Sequence, residues 1–215
     1  MPILDVRFAE TAQSKAMIDT GSPGYLTISP QDIEGAKRAG GIGGAISGYG
    51  SLGGSMGGQA QNGKQLQSEL KTLSIGNLDL GQVVAVLRES SPSLIGTSIL
   101  QHFIVTLDIR SKSAYFEKYR EGPFDQSSFG FAFSPEGKGL KVSLVWDDSP
   151  AANVGLRAGQ HLISINGVTT TSSCAGIQSA LQAMSGKTIE LKWEGGAATL
   201  SRSIPIFQRR NLGDK

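Results

Sequence analysis

The sequence predicts a mainly β protein with two domains. Short apolar stretches separated by turn residues recur along the 215 residues, and many of them alternate apolar with polar side chains, as half-buried strands do. Hydrophobic residues make up 39% and charged residues 18%, which is enough apolar material for packed cores and excludes a disordered, highly charged chain. A polar stretch broken by Gly and Pro, residues 120–127, predicts a linker between the domains.

The first predicted domain, residues 1–119, contains at least six strands and little helix. Ile3–Phe8 alternates and therefore predicts a half-buried strand. Ser29 and Pro30 are typical of an N-cap and a first helical position, so a short helix is expected to start there and to end at Gly40. The other predicted strands are 16–18, 25–28, 66–75, 80–87, 94–96, 104–109 and 114–116, with one or two helical turns at 98–103.

The second predicted domain, residues 128–208, has its strands spaced around one helix. The helix is expected at Cys174–Met184, where apolar residues recur at helical spacing. A polar tail, residues 209–215, follows the domain. The predicted strands are 130–133, 141–146, 161–165, 188–193 and 198–206.

The net charge and the small numbers of Cys and His residues argue against some classes of function. A net charge of +2, from 20 basic and 18 acidic residues, gives no electrostatic footprint for nucleic acid. One cysteine, Cys174, excludes an intrachain disulfide, and with only two histidines no zinc site is expected. We expect no metal and no other cofactor, and we assign no catalytic role to His102, His161 or Cys174.

Glycine is concentrated in one uncharged segment. Twelve of the 29 residues from Gly35 to Gly63 are glycine, and Ala39–Gly63 carries no charge. The segment is long enough to cross a bilayer, but it has few large aliphatic residues, so no membrane span is expected. No secretory signal precedes the first strand. Localisation stays open between the cytoplasm and, if an export segment is missing here, the periplasm or the exterior.

One short motif places a carboxylate in a tight turn. Asp19-Thr20-Gly21-Ser22 follows a short apolar strand, and by itself it would be an ordinary turn. The block Leu94–Asp108 adds an apolar strand that ends in Gly, a helical turn and a second apolar strand that ends in Asp. With Pro2–Phe8 and Ala16–Ser22, this order of parts over residues 2–117 resembles the retropepsin-like aspartic proteases, whose fold is a single-lobe β-barrel.

The resemblance implies a specific chemistry. Aspartic proteases use two carboxylates that share one proton, so that one acts as a base on water and the other as an acid. The chain has one Asp-Thr-Gly motif, and the second carboxylate is therefore expected from Asp19 of a second copy in a homodimer. The Thr20 hydroxyl would link the two turns, and Gly21 would allow the backbones to approach closely.

The glycine-rich segment occupies the place of a substrate-covering hairpin, or flap, in that family. Residues Gly41, Ile42, Gly43 and Gly44 resemble a retroviral flap tip and are the expected substrate-binding residues of a mobile lid. Residues 48–58 are an equally good place for the tip. A disordered linker is the remaining interpretation of this segment.

The run Asp148–Gly167 closely resembles the central block of PDZ domains, which are small β-barrels with two helices. The resemblance implies that backbone N–H groups of Phe129, Gly130 and Phe131 hold the terminal carboxylate of a peptide, which adds a strand to the sheet. Ile177 and Leu181 on the following helix would line the pocket. Two strands follow that helix, as in the circularly permuted PDZ domains of bacteria, and the alternative is a closed groove with the Phe residues in the core.

These features together predict a bacterial-type aspartic endopeptidase, homodimeric, whose PDZ domain recruits a peptide or protein substrate or a regulator. Two alternatives stay open. The first is a peptide-binding protein whose retropepsin-like fold no longer cleaves. The second is one lobe of a longer chain that supplies the second carboxylate itself.

Overall fold

The computed structural model describes residues 2–55, 58–59, 62–120, 124–205 and 207. The protein is mainly β, as the sequence predicts. In chain order the elements are β1 (Ile3–Ala9), β2 (Ala12–Ile18), β3 (Leu26–Ile28), α1 (Pro30–Arg38), β4 (Ile42–Gly50), β5 (Gly54–Ser55), β6 (Gly58–Gln59), β7 (Gly63–Ile75), β8 (Leu78–Leu87), β9 (Ser93–Ile95), α2 (Thr97–Leu100), β10 (Phe103–Asp108), β11 (Ser113–Lys118), β12 (Phe131–Glu136), β13 (Gly139–Trp146), α3 (Pro150–Asn153), β14 (His161–Ile165), β15 (Val168–Thr169), α4 (Cys174–Ala183), β16 (Thr188–Trp193) and β17 (Gly196–Ser201).

The chain divides into two compact units whose boundaries differ from the predicted domains. The first unit contains Met1–Ala45, Leu66–Gln126 and Phe207–Lys215, and the second contains Ile46–Gln65 and Ser127–Ile206. The glycine-rich residues 46–65, predicted within the first domain, therefore belong with the C-terminal part of the chain. The predicted tail, residues 209–215, lies outside the described residues.

Six strands of the first unit form a closed barrel. Their order is β1-β2-β9-β3-β8-β7, and β7 pairs with β1 through Val6–Ile75 and Arg7–Ser74 to close it. The short strand β9 runs parallel to β2 and antiparallel to β3, so it lies between the strands that precede and follow the Asp19 turn. Closure leaves these six strands without a free edge.

The barrel encloses an apolar core that α1 helps to cover. Phe8, Leu70 and Ile95 are among its most buried members. Ser29 caps α1 as predicted, because its side chain accepts a hydrogen bond from the Asp32 N–H and Pro30 opens the helix. Among the described residues, no helix combines the length and apolar character needed to cross a bilayer.

The end of the predicted linker packs on the first unit. The Phe124 ring lies 5.7 Å from the Tyr25 ring and 4.8 Å from the His102 ring, centroid to centroid. The Gln126 side chain accepts from the Val84 N–H and donates to the Gln82 carbonyl. Residues 124–126 are therefore bound by barrel residues, unlike a free linker, and residues 121–123 lie outside the described residues.

The second unit is a small antiparallel sheet with two helices. The ladder β13-β14-β16-β17 carries β12 on β13 and β15 on β14. An isolated bridge between Ser128 and Ser203 brings the segment after β17 beside the segment before β12. Its core includes Leu140, Leu156, Ile165 and Leu191, each exposed by 1% or less.

The glycine-rich segment completes the sheet of the second unit. Residues 48–50 of β4 pair antiparallel with residues 144–146 of β13. Hydrogen bonds flank this pairing, because the Ser51 N–H donates to the Ser143 carbonyl at 2.7 Å and the Asp147 N–H donates to the Ser47 carbonyl at 2.8 Å. The segment is therefore ordered where it pairs, in contrast to the disordered linker that the sequence left open.

Glycine is required at two positions in this pairing. A Cβ on Gly50 would lie 2.0 Å from the Ser143 carbonyl oxygen, and the Gly50 φ of +138° is one that other residues rarely adopt. A Cβ on Gly48 would lie 2.6 Å from a ring carbon of Trp146. The close approach of β4 to β13 thus requires part of the glycine that was expected to give a flexible lid.

Gly50→Ala is expected to destabilise the second unit by about 2–4 kcal/mol, because the new methyl group meets backbone and φ is strained. The matched control is Gly63→Ala in the same segment, where a Cβ has open space and φ is ordinary. Urea unfolding of the full chain, monitored by tryptophan fluorescence, measures both variants. Equal stability of the two variants would contradict the strand pairing.

Candidate functional site

The Asp19 carboxylate is held in a tight turn at the end of β2. Its residue is half-buried. The Asp19 N–H donates to the Ile95 carbonyl on β9 at 3.0 Å, and the Ser22 N–H donates to the Asp19 carbonyl at 3.2 Å. The Gly21 N–H donates to Asp19 Oδ1 at 2.9 Å. The turn and β9 together therefore fix both the backbone and the carboxylate of Asp19.

The segment after the turn is held by the start of α2. The Thr97 N–H and hydroxyl both donate to the Ser22 carbonyl, at 2.8 Å and 3.0 Å. A Cβ on Gly96 would lie 2.1 Å from the Gly24 carbonyl oxygen, so only glycine permits this crossing. The apolar strand ending in Gly, which the sequence predicted behind the turn, lies there as β9 and Gly96.

Thr20 and Gly21, the other two residues of the Asp-Thr-Gly motif, are exposed to solvent. A Cβ on Gly21 would lie 3.2 Å from Asp19 Oδ1, closer than ordinary contact. Among the described residues, no second carboxylate bonds to Asp19, and no group of three or more His, Cys, Asp or Glu residues is placed to hold a metal ion. Among the described residues of one copy, the hydrogen-bonded turn thus contains one carboxylate, that of Asp19.

The predicted flap tip differs from a hairpin. Ile42, Gly43 and Gly44 lie in the first residues of β4, directly after α1. A Cβ on Gly41 would lie 2.6 Å from the Ala9 Cβ, and one on Gly43 would overlap the Glu69 carboxylate. Ile42, Gly43 and Gly44 are therefore extended strand backbone, and their role as substrate-binding residues stays a prediction. In the alternative location, residues 48–58, β5 pairs antiparallel with β6, and residues 56–57 lie outside the described residues.

A second candidate site is the loop before β12. Gly130 has a φ of +81°, and a Cβ there would lie 2.0 Å from the Ser149 Cβ. Both carbonyl oxygens of the loop already accept hydrogen bonds from the protein. The Ala151 N–H donates to the Phe129 carbonyl, and the Trp146 N–H donates to the Gly130 carbonyl. In the described part of the chain, the N–H groups of Phe129 and Gly130 have no hydrogen-bond acceptor. The loop can therefore present N–H donors to an anionic group.

The edge of β12 continues this donor surface. Because the Trp146 N–H donates to the Gly130 carbonyl, Phe131 and Val145 form a non-hydrogen-bonded pair. The Phe131 N–H and carbonyl are then directed away from β13. Among the described strands, β12 pairs with β13 alone, so its other edge is open to an added strand.

The side chains beside this edge divide between core and surface. Phe129 is 3% exposed and belongs to the core, so its side chain is closed to a ligand. Phe131 and Ile177 are half-buried and pack against the same core. Leu181 on α4 is 58% exposed. Phe131, Ile177 and Leu181 are therefore the side chains beside this edge whose surfaces a ligand could contact.

Sequence reasoning missed the residues that shape the loop. Ser149 caps α3 by accepting from the Ala152 N–H at 3.2 Å, and its side chain lies against Gly130. The Ser149-Pro150 pair has the same N-cap pattern as Ser29-Pro30, so this signal was available. Trp146 has no comparable local signal, because its role depends on contacts with residues distant in sequence.

His102 packs beside an aromatic ring, and Cys174 lies at the surface. Burial, with smaller contributions from the charges of Arg120 and Lys118, lowers the pKa of His102, which favours a neutral imidazole. Its ring meets Phe124 edge to face. Cys174 is exposed at the first position of α4.

Comparison with known proteins identifies part of the second unit. A family model described as PDZ domain matches residues 141–195, which run from β13 to the turn after β16. No curated protein matches the chain. The donor loop and β12 lie just before the matched residues. Residues 141–195 of this chain therefore belong to a PDZ domain, a class of module that binds peptides or proteins.

Proposed function

We propose that the chain is an aspartic endopeptidase whose PDZ domain recruits a peptide or protein. The observation that carries the proposal is the Asp19 turn, in which a half-buried carboxylate is fixed by its own turn and by β9 on a closed barrel. This arrangement agrees with the resemblance of residues 2–117 to the retropepsin-like proteases. It supplies the rigid carboxylate that general acid–base hydrolysis requires.

Hydrolysis would require a second copy. Two carboxylates about 3 Å apart cannot both ionise, so the pair holds one proton. One Asp19 would remove a proton from water as it attacks the peptide carbonyl, and the other would protonate the carbonyl oxygen. The exposed Thr20 and Gly21 backbone is consistent with a close approach of two such turns around a two-fold axis.

The PDZ domain would act by β-strand addition. A peptide strand would pair with the open edge of β12, and its terminal carboxylate would accept hydrogen bonds from the loop at 129–131. Phe131, Ile177 and Leu181 would contact the last side chain of the peptide. Main-chain bonds would give affinity and this apolar contact would give selectivity.

The second candidate function is peptide binding without cleavage. The observation that favours it is the PDZ match at residues 141–195, since PDZ domains are modules that bind peptides or proteins. In that case the barrel would be a scaffold, and Asp19 would be a capped turn residue. The two functions differ in one property, hydrolysis that depends on Asp19.

Asp19→Asn is expected to lower peptide hydrolysis by at least about a hundredfold, because the amide cannot transfer the proton. Cleavage of an unfolded protein substrate at mildly acidic pH is the assay, and circular dichroism checks folding. Asp5→Asn is the control, since Asp5 is an exposed carboxylate paired with Lys15 at 3.1 Å. Equal activity of Asp19→Asn and wild type would exclude the protease assignment.

Specific activity is expected to fall on dilution, because a monomer carries one of the two carboxylates. Activity measured over a hundredfold range of protein concentration, alongside sedimentation velocity, should track the dimer fraction. A monomeric species with full specific activity would refute the shared dyad. Full activity in a monomer is the result expected for the alternative in which a longer chain supplies both carboxylates itself.

Peptides that end in Val are expected to bind the full chain at least about tenfold more tightly than peptides that end in Lys. Burying an ammonium group against Phe131, Ile177 and Leu181 carries a desolvation cost that an isopropyl group does not. Fluorescence anisotropy measures both peptides, and equal affinities would contradict an apolar pocket.

A further inference from the structure

Arg202 connects the two walls of the PDZ groove at one end. Its Nη2 donates to the Met184 carbonyl at 2.7 Å and its Nε to the Gly186 carbonyl at 3.1 Å, both just after α4. Its Nη1 donates to the Ser127 carbonyl at 3.4 Å, just before the donor loop. The guanidinium of half-buried Arg202 thus bonds both to the residues just after α4 and to Ser127, just before the loop at 129–131.

The same guanidinium stacks on the loop. Its central carbon lies 5.1 Å from the centroid of the Phe129 ring, within the range of a cation–π contact. The backbone of Arg202 is also fixed, since its N–H donates to the Lys187 carbonyl at 2.9 Å and the next residue, Ser203, exchanges two hydrogen bonds with Ser128. Side chain and backbone therefore hold residues 127–129 from two directions.

Physical chemistry explains why arginine suits this position. The last carbonyls of a helix lack partners within it, and a cation near them is favourable. A guanidinium has several N–H donors in a fixed plane and can stack on an aromatic face while it donates at its edges. A lysine ammonium at the same place would keep the charge but could not make this planar set of contacts.

We propose that Arg202 is a positioning residue for recognition of a peptide's terminal carboxylate. It acts through Ser127 and Phe129, because it sets the position of the loop N–H groups relative to α4. The inference rests on the proposed peptide-binding function of the PDZ domain. It adds a residue outside the matched segment 141–195, and one that the sequence analysis did not select.

The test compares two labelled peptides on the full chain. Both end in Val, one with a free carboxylate and the other with a carboxamide, so that only the terminal charge and its acceptors differ. The variants are Arg202→Met and Arg202→Lys, with Arg157→Met as the control because Arg157 is an exposed arginine of the same unit. The readout is the ratio of the two dissociation constants, carboxamide over carboxylate.

Wild type is expected to prefer the carboxylate peptide, and both Arg202 variants are expected to reduce that ratio by about tenfold or more, since charge-assisted hydrogen bonds depend on geometry. Arg157→Met should leave the ratio unchanged. A purely structural role for Arg202 would weaken both peptides equally, so an unchanged ratio in Arg202→Met overturns the proposal. Thermal unfolding of each variant identifies any loss of folded protein.

Two further results are also decisive. A wild-type ratio in Arg202→Lys would mean that charge alone suffices, and it would overturn the positioning role of the planar group. If wild type itself binds both peptides equally, terminal-carboxylate recognition fails, and with it the proposed binding mode. These two failures are distinguishable because the first keeps the wild-type preference and the second lacks it.

Discussion

Close backbone contact at glycine is the constraint on which both candidate sites depend. At Gly96 the chain passes the Gly24 carbonyl so closely that a Cβ would lie 2.1 Å from its oxygen. This crossing places β9 behind the Asp19 turn. At Gly130 a Cβ would lie 2.0 Å from the Ser149 Cβ, and this contact allows the donor loop to fold back on α3. Neither site could form with a larger residue at its crossing.

Close packing at glycine also gives a different interpretation of the glycine-rich residues 35–63. Flexibility was the natural interpretation of its composition, but the structure uses part of it for packing, at Gly41, Gly48 and Gly50. Residues 46–65 cluster with the C-terminal unit and extend its sheet at β13. The compact unit that contains the matched PDZ residues 141–195 therefore also includes residues 46–65, which matters for any attempt to isolate it.

Local patterns predicted the elements well and long-range pairing poorly. The alternation at Ile3–Phe8 and the Ser29-Pro30 cap each describe a structure that neighbouring residues determine, and both are confirmed. The PDZ domain was predictable because a long run of residues carries the resemblance. The pairing of residues 48–50 with 144–146 was not, because a strand's register with a partner almost a hundred residues away leaves no local pattern. Arg202 was missed for the same reason, since its partners come together only in the fold.

We propose that this chain supplies half of an aspartic dyad and that it also carries a peptide-binding PDZ domain. The most direct measurement is a crystal structure of the protein at mildly acidic pH with a peptide that mimics the tetrahedral intermediate. The shared dyad predicts a two-fold dimer in which the nearest Asp19 carboxylate oxygens of the two copies lie about 3 Å apart, with the peptide mimic between the copies. A structure in which the peptide mimic binds a single copy, with the two Asp19 side chains far apart, would contradict it.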